Sequence, residues 1–114
     1  MRIGIIGYGR MGKLIRQKAL AAGHKVPVVV DPACKDSAVT NTDLASILEP
    51  LDVIINFTSP QAVLNNIRYY CDQNLNAVIG TTGWYDQLDQ VRAVVAESGN
   101  GLIWSGNFSL GVNL

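Results

Sequence analysis

Residues Met1 to Gly12, MRIGIIGYGRMG, constrain this chain more than any other stretch. Ile3 to Ile6 are apolar or small and suit a short buried strand, and Gly7-Tyr8-Gly9-Arg10-Met11-Gly12 follows at once. This is the G-x-G-x-x-G layout at a turn from strand to helix. Each glycine serves a different physical need. Gly7 permits the tight turn, Gly9 lets a pyrophosphate approach the backbone, and Gly12 lets the helix pack closely on the strand. Met11, Leu14, Ile15, Ala19 and Ala22 then recur at helical spacing. The N-terminus of such a helix aims unpaired N–H groups and the positive end of its dipole at an anion. Glycine-rich turns also occur with no ligand, so it is the strand before and the amphipathic helix after that carry the dinucleotide reading.

Gly23 stops the helix, and Lys25 to Val30 form a second, β-branched run that ends in Asp31-Pro32. Two buried strands joined by a helix make a βαβ unit. Asp31 lies 19 residues after Gly12, where this motif expects an acid to hydrogen-bond the adenosine ribose hydroxyls. An aspartate before proline also reads as an ordinary turn residue. The glycine loop in register favours the binding role.

Residues 32 to 42 read as loop, and Asp43 to Leu48 as a short helix ended by Pro50. Asp52 to Phe57 is a third strand, followed by Ser59-Pro60 as the cap and first residue of a helix with Val63, Ile67, Tyr70 and Cys71 on one face. Asn76 to Gly80 gives a fourth strand, and Thr81-Thr82-Gly83 a small-residue turn. A third long helix points Leu88, Val91 and Val95 inward and Asp86, Asp89 and Arg92 outward. Gly99 and Gly101 break it, and Leu102 to Trp104 begins a fifth strand. This alternation predicts an α/β fold, a Rossmann-type doubly wound parallel sheet with helices on both faces, as one domain over residues 1–114. In such sheets the ligand lies across the carboxyl ends of the strands at the switch point.

Composition narrows the partners. Nine basic and nine acidic residues balance over 114, so nothing points to nucleic acid or an anionic membrane surface. With 48% hydrophobic and 16% charged residues the chain can build a core. No apolar run approaches a bilayer span, and the N-terminus enters a strand directly, so the expected location is the cytoplasm. Cys34 and Cys71 lack metal or redox spacing, and no metal site is expected. Cys34 reads as loop, Cys71 as core, Trp84 and Trp104 as packing anchors, and Tyr69 and Tyr70 as straddling the exposed edge of their helix. The one histidine, His24, follows Gly23 and reads as a surface residue.

Four further motifs carry a resemblance: GRMG at Gly9 to Gly12, DVIINFTSPQA at Asp52 to Ala62, GTTGW at Gly80 to Trp84, and NFSLGVNL at Asn107 to Leu114. In these and their order the chain resembles the N-terminal, cofactor-binding domain of the dihydrodipicolinate reductases, also called 4-hydroxy-tetrahydrodipicolinate reductases. The resemblance implies an NAD(P)H-dependent oxidoreductase of lysine and diaminopimelate biosynthesis. It implies that Gly7, Tyr8, Gly9, Arg10, Met11 and Gly12 hold the pyrophosphate, Asp31 the adenosine ribose, and Gly80, Thr81 and Thr82 the nicotinamide-ribose side. Ser105, Gly106, Asn107 and Phe108 look like the loop that positions the nicotinamide carboxamide.

The chain departs from the family pattern in several places. Its glycine loop is one residue shorter than usual, Asn56 and Gln61 stand where acids are commoner, and Ser105-Gly106 replace Ala-Pro. Pro32 replaces the basic residue that often follows the ribose acid, leaving Arg10 and Lys35 as the nearby cations. NADH is therefore favoured over NADPH. The resemblance implies that the substrate site and proton donor lie in a second domain, expected to be absent from these residues, so no catalytic residue is assigned. The expectation is a chain that binds nicotinamide dinucleotide, meets its small-molecule substrate only with that domain, and turns over little or nothing alone. An incomplete sheet would expose apolar surface and encourage homo-oligomers. Two other readings stand beside this one: the cofactor domain of another Rossmann oxidoreductase, such as an amino-acid dehydrogenase, or a non-catalytic dinucleotide-sensing module.

Overall fold

The computed structural model describes residues 1–41, 44, 50–99 and 101–104. Among the described residues five parallel strands form the sheet: β1 (Arg2–Ile6), β2 (Lys25–Val30), β3 (Val53–Asn56), β4 (Ala77–Ile79) and β5 (Leu102–Trp104). Their order is β2-β1-β3-β4-β5. The helices are α1 (Arg10–Ala21), α2 (Val63–Asp72) and α3 (Leu88–Ser98), the last two each entered through a one-turn 3-10 segment, Pro60–Ala62 and Tyr85–Gln87. The chain moves from β1 outward to β2, then crosses back to β3 on the other side of β1. That reversal is the switch point of a doubly wound sheet.

Strand alternation sorts the apolar side chains onto two faces. Ile3, Ile5 and Val29 pack with Ala19 and Ile15 of α1 on one side. Val28, Ile54, Ala77 and Ile79 pack with Val63, Ile67 and Tyr70 of α2 and Val91 of α3 on the other. Helices on both faces are what the sequence rhythm predicts. Pro27 sits in the edge strand β2, and the register against β1 shifts between Arg2 and Gly4, where β2 advances from Lys25 to Val28. A residue without an N–H is tolerated at such an irregular edge.

Several sequence expectations shift in detail. Ala22 is exposed and lies just past α1, because the helix ends at Ala21 and Gly23 then turns with φ +88°. Ser59 makes no side-chain cap; its backbone carbonyl accepts the Ala62 N–H at 3.0 Å, since the helix is entered through a tight 3-10 turn. Tyr70 is a plain correction. It is only 3% exposed, whereas the sequence reading set it with Tyr69 at an exposed helix edge. Trp84 is a packing anchor, fully buried, with its indole N–H donated to the Thr81 carbonyl at 2.6 Å. Of the helix expected over Asp43–Leu48 only Leu44 lies among the described residues.

Candidate functional site

Backbone hydrogen bonds carry the sheet past its strand ends and fix the loops there. The Gly7 N–H donates to Val30 O at 2.8 Å, Phe57 N–H to Ile6 O at 2.8 Å, and Gly80 N–H to Asn56 O at 2.9 Å. The result is a groove of about 660 Å³ at the carboxyl edge, between Gly7 and Gly9 after β1, Asp31 to Ala33 after β2, and Phe57 to Ser59 after β3. It sits at the switch point, where doubly wound sheets take their ligands.

The three glycines of the loop differ sharply. Gly7 has φ +95°, and a Cβ there would run into the Phe57 carbonyl oxygen. At buried Gly12 a Cβ would run into the Gly7 carbonyl oxygen, so α1 can approach β1 this closely only without a side chain. At Gly9 a Cβ would meet nothing within 4 Å. The protein therefore leaves space above Gly9 that its own packing does not use. Gly9 is also the N-cap of α1, with no side-chain cap and no acid in the first turn. The first N–H groups of a 12-residue helix thus face the loop uncapped, and an anion can satisfy them.

The other residues of this loop are placed differently. Tyr8 is 5% exposed and its ring belongs to the core on the α1 side, with Lys13 Nζ 5.9 Å above the ring centre. Only its backbone reaches the loop surface, and its N–H donates to Asp31 Oδ2 at 2.8 Å. Met11 is half-buried and Arg10 exposed. Asp31 is half-buried, with Oδ1 accepting the Ala33 N–H at 3.2 Å and its own N–H donated to Asn41 Oδ1 at 2.9 Å. Each carboxylate oxygen has two lone pairs, so one on each remains for hydroxyl groups of a ligand. Pro32 beside it is exposed and uncharged, and Lys35 is exposed in the same loop.

A polar network joins the ends of β3 and β4. Fully buried Asn56 accepts the Tyr70 hydroxyl at 2.6 Å and Asn66 Nδ2 at 3.3 Å on Oδ1. Its Nδ2 donates to Thr58 Oγ1 at 3.1 Å and Thr81 Oγ1 at 3.4 Å. The Thr58 N–H donates to Thr81 Oγ1 at 2.8 Å. Burial pushes the Tyr70 phenol above its ordinary value, so it stays protonated and keeps donating. Thr81 is 6% exposed and works within this network, while Thr82 is exposed and Gly80 packs against the Phe57 ring. The structure brings Gly7, Gly9 and Asp31 to one groove, with Gly80 to Thr82 at the neighbouring strand end. Ser105, Gly106, Asn107 and Phe108 lie outside the described residues.

Sequence reasoning did not find Asn56, Thr58, Asn66 and Tyr70 as a unit. Two signals were present. Asn56 shares the face of Ile54 in an apolar strand, and Tyr70 continues the inward stripe of Val63 and Ile67. A buried amide facing a buried phenol is a pair that satisfies itself.

Comparison with known proteins agrees with this architecture. The family described as "Dihydrodipicolinate reductase, N-terminus" matches residues 1–108. A 4-hydroxy-tetrahydrodipicolinate reductase of Christiangramia forsetii is 34% identical over 114 residues, covering 100% of this chain and 45% of that protein. One from Acinetobacter baumannii is 30% identical, covering 99% of this chain and 47% of its own length. The chain thus spans about half the length of the curated relatives it matches. A solved dipicolinate-bound dihydrodipicolinate reductase from Paenisporosarcina sp. TG-14 superposes with TM-score 0.72 at 24% identity, over 97% of this chain and 49% of that one. The UDP-N-acetylglucosamine 3-dehydrogenase GnnA of Acidithiobacillus ferrooxidans reaches TM-score 0.73 at 19% identity, over 92% of this chain and 38% of that one, a likeness of fold alone. With its family profile matched over residues 1–108, this chain belongs to the dihydrodipicolinate reductase N-terminal family.

Proposed function

We propose that residues 1–114 are a nicotinamide-dinucleotide-binding domain, the cofactor side of a reductase acting on 4-hydroxy-tetrahydrodipicolinate. The observation that carries this reading is the groove in which Gly7, Gly9 and Asp31 converge beneath the uncapped start of α1. In it the pyrophosphate lies over Gly9 against the first N–H groups of α1, with Arg10 at the rim. The adenosine ribose hydroxyls take the free lone pairs of Asp31. Gly80 and Thr82 face the nicotinamide ribose, with buried Thr81 holding their turn from within, and Ser105 to Phe108 take the carboxamide end by family likeness. When bound, the nicotinamide supplies the hydride; the protein's part is to hold it in place and shape the local field.

The Asp31 carboxylate and the uncharged Pro32 favour a free 2′-hydroxyl over a 2′-phosphate, so NADH is the better ligand. Substrate-binding and proton-donating groups are assigned to the part of the relatives' length that these residues do not span. The test is calorimetric titration with NADH and NADPH beside an assay of substrate reduction. Saturable NADH binding, tighter than NADPH and without turnover by these residues alone, is expected. Sustained turnover would overturn the division of labour, and tighter NADPH binding the assignment of Asp31.

A further inference from the structure

β2 is an edge strand, so the polar groups on its outer side have no neighbouring strand to bond. Val30 O faces β1 and takes the Gly7 N–H, which turns Val29 and Asp31 outward. Thr40 and Asn41 come back to this edge in place of a strand. Thr40 Oγ1 accepts the Val29 N–H at 3.1 Å, and Val29 O takes the N–H groups of Thr40 at 2.8 Å and Asn41 at 3.1 Å. One outward position further, Asn41 Oδ1 accepts the Asp31 N–H at 2.9 Å. Asn41 reaches it with a left-handed backbone, φ +48°, which asparagine adopts more readily than most residues with a side chain. Asp31 is held elsewhere by backbone donors. Its carbonyl accepts the Cys34 N–H at 3.0 Å, and its carboxylate takes the Tyr8 and Ala33 N–H groups at 2.8 and 3.2 Å. The contact from Asn41 is the one that a side-chain substitution removes.

We infer that Asn41 is a positioning residue for the ribose site: its carbonyl fixes the Asp31 backbone so that the carboxylate stays on the Tyr8 N–H with lone pairs aimed into the groove. The inference rests on the dinucleotide reading above and adds to it a residue remote from the glycine loop. Released from Asn41, the Asp31 N–H turns to water and the backbone on either side of its Cα gains freedom. The carboxylate then meets a ribose hydroxyl for less of the time. A free 2′-hydroxyl, which needs those lone pairs, loses by this. A 2′-phosphate does not, because it is itself an anion with acceptor oxygens only. Asn41 therefore sustains the preference for NADH as well as the affinity for it.

The experiment titrates the chain with NADH and NADPH by calorimetry and compares Asn41→Gly, Asp31→Ala and the Asp31→Ala/Asn41→Gly double variant, with thermal melting to show which fold. Glycine keeps the left-handed backbone and removes only the acceptor. Loss of one hydrogen bond predicts NADH binding about three- to tenfold weaker in Asn41→Gly, with NADPH changed by less than about twofold. The double variant binds NADH no more weakly than Asp31→Ala, because the effect runs through that carboxylate. Equal losses for the two nucleotides, multiplying losses in the double variant, or an Asn41→Gly variant that binds NADH like the parent would overturn the inference. A ligand-free NMR arm covers an Asn41→Gly variant that fails to fold. The Asp31 amide hydrogen exchanges slowly in the parent and in Asn41→Asp, which keeps an acceptor oxygen; an open amide in either overturns the inference. A parent that binds neither nucleotide, or an Asp31→Ala variant that binds NADH like the parent, sinks the ribose assignment and this inference together. Loss of NADH in Asp31→Ala but not in Asn41→Gly sinks only the inference.

Discussion

Gly9→Ala separates the needs of folding from those of binding. The new Cβ meets no protein atom within 4 Å, and Gly9 has φ −84°, which alanine adopts without strain. Two small effects on stability then oppose each other. Less freedom in the unfolded chain stabilises by about 0.4–1 kcal/mol, while alanine is a poorer N-cap than glycine by roughly 0.5–1 kcal/mol. The net lies within about 1 kcal/mol of zero. A chain of 114 residues unfolds with an entropy of roughly 0.24 kcal/mol/K, so Tm moves by no more than about 4 °C. Binding responds differently, because the methyl group fills the space proposed for the pyrophosphate. Losing even one or two charge-assisted hydrogen bonds of about 1.5–3 kcal/mol weakens NADH binding by at least about tenfold. The assay is a melting curve and a calorimetric titration on one preparation. A variant that melts with the parent and binds NADH within threefold of it would refute the placement of the pyrophosphate over Gly9.

Other substitutions probe the rest of the account. Gly12→Ala drives a Cβ into the Gly7 carbonyl oxygen, with Ile5 Cγ2 only 3.5 Å away; overpacking of this kind costs about 1–3 kcal/mol, read as a fall in Tm of roughly 4–12 °C, and an unchanged Tm would contradict the close packing of α1 on β1. Tyr70→Phe removes the 2.6 Å hydrogen bond to buried Asn56 and costs about 1–3 kcal/mol by denaturant titration. The pH dependence of that gap has a definite sign. The folded phenol titrates above its ordinary value of 10.0, so its stabilising share is complete below pH 10 and is lost as pH rises through the folded value. The gap between parent and Tyr70→Phe therefore narrows above pH 10, and a constant gap up to pH 11.5 would contradict the burial of Tyr70.

Much of the fold was legible because its signals are local. Glycines at Gly7, Gly9 and Gly12, the helical spacing of α1 and the short β-branched runs follow from turn geometry and periodicity alone. The doubly wound reading followed from the strand and helix alternation, and the order β2-β1-β3-β4-β5 agrees with it. Less legible were features set by packing between distant segments. Tyr70 is inside because α2 lies over β3 and offers its hydroxyl a buried partner 14 residues away. The pair Tyr69-Tyr70 is ambiguous taken alone, and only the spacing of Tyr70 from Val63 and Ile67 marks it as the inward ring. Ser59 looked like a side-chain cap because serine before proline usually is one, but the 3-10 entry to α2 uses its carbonyl instead. Tyr8 sat within the motif by position, and only the structure separates its buried ring from its exposed neighbour Gly9.

The most direct test of the central claim is an NMR titration of the chain with NADH, following backbone amides. The account predicts saturable shifts concentrated at Gly7 to Gly12, Asp31 to Ala33 and Thr58, with the far ends of the strands, Arg2, Asp52 and Ala77, unmoved. Shifts centred away from the switch-point groove, or none in a folded chain, would contradict it.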